Sequence, residues 1–247
     1  MKTIVSNVTV SLYCYKRTNE LTNLDTILEE RRALLQDLGI SKIAKAGGNE
    51  NWHFYEKMTF SPDRFDKIEA VIKKHQKLIE QRGLDMGVEM DCIFERELVG
   101  KVEFGNKVRI SDPCYSMDTW CALTLDVLPG TYNLYVNKTY NGRTANMWAI
   151  HNDFIDYSGV EIVEGVDETI GVDSGLCGIY ELPYFESHGG QDGDWYEGLI
   201  DLSMPAVLDD AAFICSSGYG DGGYTCYVTK DINGSIFSIN IPFIFLE

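Results

Sequence analysis

Three short segments hold most of the side chains able to do chemistry. They are Ile110-Ser-Asp-Pro-Cys-Tyr115, Val172-Asp-Ser-Gly-Leu-Cys-Gly178 and Cys215-Ser-Ser-Gly-Tyr-Gly-Asp-Gly-Gly-Tyr224. Glycine lets a backbone turn tightly and approach a ligand closely. Asp and Ser beside such turns supply acceptors, donors or a nucleophile. The predicted ligand-binding set is therefore Asp112, Tyr115, Asp173, Ser174, Ser216, Ser217, Tyr219 and Asp221, gathered in one pocket. The third segment supports two readings. In one, Asp221 bonds the amides of its own bulged turn. In the other, the amides and the Ser216 or Ser217 hydroxyl grip an anion or a sugar, and Tyr219 stacks on a ring. It is not a Walker loop, because no Gly-Lys-Ser/Thr follows.

A nucleophilic serine needs a base within hydrogen-bond reach and donors for the oxyanion. Of the histidines 53, 75, 151 and 188, His75 falls on a helical apolar stripe and reads as packing. His53 alternates with aromatics, and His188 lies in a polar loop. Only His151 suits a Ser174–His151–Asp arrangement. The run Asp192-Gly-Asp-Trp-Tyr-Glu197 resembles an incomplete calcium loop. A cation site combining Asp112, Asp173 and Asp221 stays open. No His/Cys cluster has zinc spacing, and no cofactor motif occurs. No catalytic residue, metal ligand or cofactor is assigned.

These segments need strands to hold them. Residues 1–97 read β-α-β-α-β: strand 8–15, helix 24–38, strand 52–60, a helix opened by Ser61-Pro62 and closed by Gly83, and strand 87–94. This pattern predicts a small α/β sandwich with both helices on one face. Beyond residue 98, glycine and aromatics replace helical periodicity. Strands are expected at 101–110, 122–128, 131–138, 144–151, 158–164, 168–173, 176–181, 211–216, 223–230 and 234–246. Trp195 to Leu202 reads as a short helix or turn. The fold class is α+β, with the first module packed tightly on a mostly antiparallel β-sandwich or partly open barrel spanning 98–247.

Charge sharpens the division. Residues 1–97 hold 16 acidic and 15 basic side chains, whereas 98–247 hold 22 and 6, a net of −16 within a total of −17. Such a surface repels DNA and anionic membrane, so no direct nucleic-acid or membrane partner is expected. It leaves recognition of a basic partner or mimicry of nucleic-acid charge as acidic alternatives. No 18-residue apolar run occurs, and the polar N-terminus is no signal peptide, which points to the cytoplasm. The seven cysteines form no Cys-x-x-Cys pair. Cys14, Cys92, Cys177, Cys215 and Cys226 read as reduced core residues. The sequence carries no information on oligomeric state.

Ser-Asp-Pro-Cys-Tyr (111–115), Gly-Val-Asp-Ser-Gly-x-x-Gly (171–178), Trp195-Tyr196 and Ser-Gly-Tyr-Gly-Asp-Gly-x-Tyr (217–224) recur in this order. Together they resemble an uncharacterised family of bacterial and phage proteins, domain of unknown function 4241, over about residues 98–247. The resemblance implies a fold and a site location but no reaction. It also implies a phage accessory or anti-defence role by analogy. The expected function is a non-enzymatic binding protein for a small polar ligand or protein partner. The alternatives are a hydrolase using Ser174 or Asp221, and an acidic nucleic-acid mimic.

Overall fold

The computed structural model describes residues 2–16, 23–42, 47–156, 159, 162–189 and 193–246. The chain is α+β, with three antiparallel sheets, none closed into a barrel. It divides into two compact units between Phe94 and Glu95. Among the described residues, no helix is long and apolar enough to cross a membrane.

The first unit runs β1 (Val8–Tyr15), α1 (Leu24–Asp37), β2 (Trp52–Phe60), α2 (Phe65–Arg82) and β3 (Gly87–Asp91). Its sheet order is β2-β1-β3, both neighbours antiparallel to the central strand. Alternation on β1 buries Val8, Val10, Leu12 and Cys14. Helix α1 reaches the side of β2 that faces these residues through Arg31, which pairs with Glu56 and lies over the Phe54 ring. Gly83 closes α2 at φ 60°, a left-handed cap that costs glycine nothing.

His75 is on the buried stripe of α2, as expected, but packing is only part of its role. Its Nδ1 lies 2.5 Å from Glu30 Oε1 and its Nε2 3.0 Å from Asp37 Oδ2. Arg82 donates to the other Glu30 oxygen at 3.0 Å. The ring thus joins α1 to α2 through two carboxylates, which periodicity alone does not reveal.

Among the described residues, the second unit has eleven strands in two sheets, between which the chain crosses back and forth in blocks of one to three strands. The six-stranded sheet is ordered β4 (Glu97–Phe104), β7 (Gly130–Lys138), β8 (Thr144–His151), β14 (Ile236–Pro242), β13 (Gly222–Lys230), β9 (Ile162–Val172). The five-stranded sheet is ordered β11 (Ala206–Leu208), β12 (Ala212–Ser216), β10 (Leu176–Glu181), β5 (Lys107–Ser111), β6 (Leu123–Asp126). The Cys215 thiol of β12 lies 3.8 Å from the Met147 sulfur of β8, so the inner faces of the sheets meet.

Several expected boundaries shift. The predicted strand 101–110 is two strands, β4 and β5, broken at Gly105-Asn106. The predicted strand 168–173 is the end of the longer β9; of the residues expected at 158–164, 158, 160 and 161 lie outside the described set. Helix α3 (Leu182–His188), begun by Pro183, and the short β11 were not anticipated. Helix α4 (Gly193–Ile200) occupies most of the predicted 195–202 turn.

The five core cysteines are buried and free. Burial, then nearby carboxylates, pushes the Cys14 thiol up to about 11 and the Cys92 thiol up to about 12; burial does the same to Cys226, to about 12. The folded state then holds protons that the unfolded chain releases from about pH 9. Stability is therefore complete below pH 9 and falls as pH rises toward 11 to 12, by at most about 1.4 kcal/mol per pH unit for each group. Denaturant unfolding at a series of pH values should show this decline, and a flat profile above pH 9 would contradict it.

Candidate functional site

Strand register brings the three segments to one end of the second unit. Central β10 pairs with β12 through Leu176↔Ser216 and with β5 through Gly178↔Ser111. The residues just outside those pairs, 112, 175 and 217, therefore lie together. Two connections cross between sheets here: the 173–175 turn from β9 to β10, and the 217–221 loop from β12 to β13. Val172↔Gly222 ties their far ends.

Asp112 joins the first two segments. Its side chain is fully buried. One carboxylate oxygen accepts from the Asp173 amide at 2.8 Å and the Ser174 amide at 2.7 Å. The other accepts from the Ser174 hydroxyl at 2.7 Å and the Cys114 amide at 2.8 Å. Four donors thus satisfy a charge that burial alone would penalise. Gly175 holds φ 75° at the turn's apex, which favours glycine. The third segment joins through the Ser217 amide, which donates to the Gly175 carbonyl at 3.0 Å.

This geometry reassigns several residues. Asp112 clasps the backbone and has no face for a ligand or cation. Ser174 donates to Asp112 and accepts from the Leu176 amide at 3.2 Å, so it is a turn residue. His151 receives the Asp153 amide at 3.3 Å and lies 3.2 Å from the Pro129 carbonyl; none of these is a serine. Ser216 bonds Thr144 at 3.1 Å, and buried Ser217 donates to the Gly220 carbonyl at 2.8 Å. Tyr219 is exposed, its ring 5.0 Å from the Arg143 guanidinium.

The 217–221 loop is held by Ser217 and by the Tyr224 hydroxyl, which donates to the carbonyls of Ser217 at 2.9 Å and Gly220 at 2.6 Å. Asp221 stands exposed on this loop. Asp221→Asn is accordingly expected to leave the thermal midpoint where it is, as surface substitutions do. A clear fall in the melt would restore the reading in which its carboxylate bonds the turn.

Beside the clasp opens a concavity of about 500 Å³, lined by Tyr115, Thr119, Trp120, Cys121, Thr169, Gly171, Val172, Asp173, Gly222 and Gly223. That volume suits a small ligand. Trp120 is 89% exposed at its rim. The Tyr115 hydroxyl and the Cys121 sulfur press on Gly171, where an added methyl would stand 3.3 Å and 2.6 Å from them. The Gly171 amide donates to the Cys121 carbonyl at 2.8 Å. Burial, then Asp173 and Cys121, keep the Tyr115 hydroxyl protonated well above its ordinary range. It is therefore a hydrogen-bond donor at neutral pH.

Of the eight expected ligand residues, Tyr115 and Asp173 line this space, and Gly222 and Gly223 extend the third segment into it. Trp120 and Cys121 were not anticipated. The available signal was an aromatic in the polar run Met117-Asp-Thr-Trp120, between two strands. Arg109 was missed as well. It is buried among Val108 and Ile110, donates to the Met117 carbonyl at 3.1 Å, and approaches the carbonyls of Thr119 at 3.4 Å and Ser116 at 3.5 Å. It thereby positions the loop carrying Trp120.

Among the described residues, no three His, Cys, Asp or Glu side chains gather as metal ligands. Asp192 of the acidic run, and the side chain of Asp194, lie outside the described residues. Comparison with protein-family models, with curated proteins and with solved structures finds no match.

Proposed function

We propose that the chain is a non-enzymatic binding protein whose concavity between Trp120, Asp173 and Gly222 takes a small polar ligand or one side chain of a partner. The observation that carries this reading is an exposed tryptophan set beside a carboxylate and a hydroxyl donor over bare glycine backbone. A hollow of this size, lined by aromatic and apolar groups with a few polar ones, has the ordinary form of a small-ligand site. The hydrolase alternative is weaker. Ser174 has given its proton to a hydrogen bond with Asp112, and His151 is engaged elsewhere. The resemblance to the phage-associated family extends the proposal to an accessory or anti-defence factor.

A melting screen of the full chain with sugars, nucleosides, amino acids and amines tests it. Ligand at a hundredfold excess over Kd stabilises by about 2.7 kcal/mol, several degrees for a unit of this size. At least one class should raise the midpoint of the native chain and fail to do so for Trp120→Ala, whose site is too exposed for the change to unfold it. Shifts indifferent to Trp120→Ala, or none across the screen, would refute the proposal.

A further inference from the structure

Resting on that binding site, we infer that the ligand it selects is an organic cation, an alkylammonium or guanidinium group seated between the Trp120 ring and the Asp173 carboxylate. Three independent features point there. First, among the described residues, no Lys, Arg or His lines the concavity, so no side chain there carries a charge to match an anion. Second, Trp120 presents an indole that is 89% exposed, and indole is the best side-chain ring for holding a cation over its face. Third, Asp173 supplies the local countercharge. Its carboxylate is free of the clasp, because Asp112 holds the Asp173 backbone amide and not its side chain.

The surroundings act in the same direction. The chain from residue 98 onward carries −16, and a concave acidic surface concentrates cations at its mouth. The Tyr115 hydroxyl, kept protonated by burial and by the neighbouring Asp173, adds a donor beside the carboxylate. A neutral polyol would find the ring and the hydroxyls but gain nothing from the charge. The cation comes from one of two sources, a free small amine or a basic side chain of a partner protein.

Choline and its uncharged isostere 3,3-dimethyl-1-butanol separate charge from shape. Each is titrated against the full chain while the Trp120 indole signal is followed by NMR. Choline should bind at least about tenfold more tightly than the isostere, in line with a desolvated ring and a nearby carboxylate. Its affinity should fall with added salt. Asp173→Asn should remove about tenfold and Trp120→Ala nearly all of it, both variants retaining the native melt. A hexalysine peptide distinguishes the sources: tighter binding than choline indicates a partner segment, and equal or weaker binding indicates a free amine. Equal affinity for choline and the isostere overturns the inference. If glucose moves the Trp120 signal and choline does not, the cation assignment fails while the binding site stands. If no probe moves it at millimolar concentration, both fail.

Discussion

Asp112→Ala is expected to cost the second unit about 4 kcal/mol or more, a large share of an ordinary domain's stability. The carboxylate is buried and accepts four hydrogen bonds from three residues. Alanine leaves three backbone amides and a hydroxyl without their acceptor. Because that variant could fail to fold, Asp112→Asn gives the graded test. Its single acceptor oxygen can keep the amides of Asp173 and Ser174, and the Ser174 hydroxyl can reverse. The Cys114 amide then meets an NH₂, and the charge is lost. About 2–3 kcal/mol should disappear. Denaturant titration of both variants checks this, and a loss below about 1 kcal/mol for Asp112→Ala would show that the clasp does not hold the turn.

The second large effect belongs to Arg109. Arg109→Met keeps the length and apolar stem but removes the donors to the carbonyls of Met117, Thr119 and Ser116. The half-buried Met117 and Thr119 carbonyls lose that donor, while the Ser116 carbonyl keeps the Thr119 amide at 3.2 Å, for a loss of about 2 kcal/mol. The loop should also loosen, so the Trp120 indole signal should broaden or move without any ligand. Arg109→Lys should recover less than half, because one ammonium on a shorter stem cannot replace both the Nη2 contacts to the loop carbonyls and the Nη1 donation to the Thr124 hydroxyl at 3.3 Å. A Met variant as stable as the native chain, with an unmoved Trp120 signal, would refute this role.

Much of the framework was legible because local signals agreed. Val8 to Cys14 alternate cleanly, Gly83 ends a helix, and Asn233-Gly234 turns β13 into β14. The convergence of the three segments was also readable, since each ends a strand with Asp, Ser and Gly. What stayed hidden depends on contacts distant in sequence. Asp112 is sixty-one residues from the amide it holds, and nothing around it marks it as a clasp and not a ligand. His75 sits on an apolar period, yet its partners come from another helix, forty-five and thirty-eight residues away. Gly178 fell inside the expected strand 176–181, but the need for a glycine there was hidden. It lies within β10, where the Tyr180 ring passes over it so closely that an added methyl would stand 2.2 Å away. The β4–β5 break was signalled by Gly105-Asn106 but masked by the apolar residues on either side. Exposure is the least legible property of all, which is why Trp120 went unremarked.

The proposed ligand occupies the space beside the Asp112 clasp. The most direct measurement is an amide and indole shift map of the full chain, recorded with choline and again with glucose as the uncharged probe. The Trp120 indole and the amides of Gly171, Asp173, Gly222 and Gly223 should move together on adding choline. The amides around Tyr219, and the Tyr15–Trp52 stack of the first unit, with ring centroids 3.8 Å apart, should stay in place. Shifts confined to either of those places, with the Trp120 group unmoved by both probes, would contradict it.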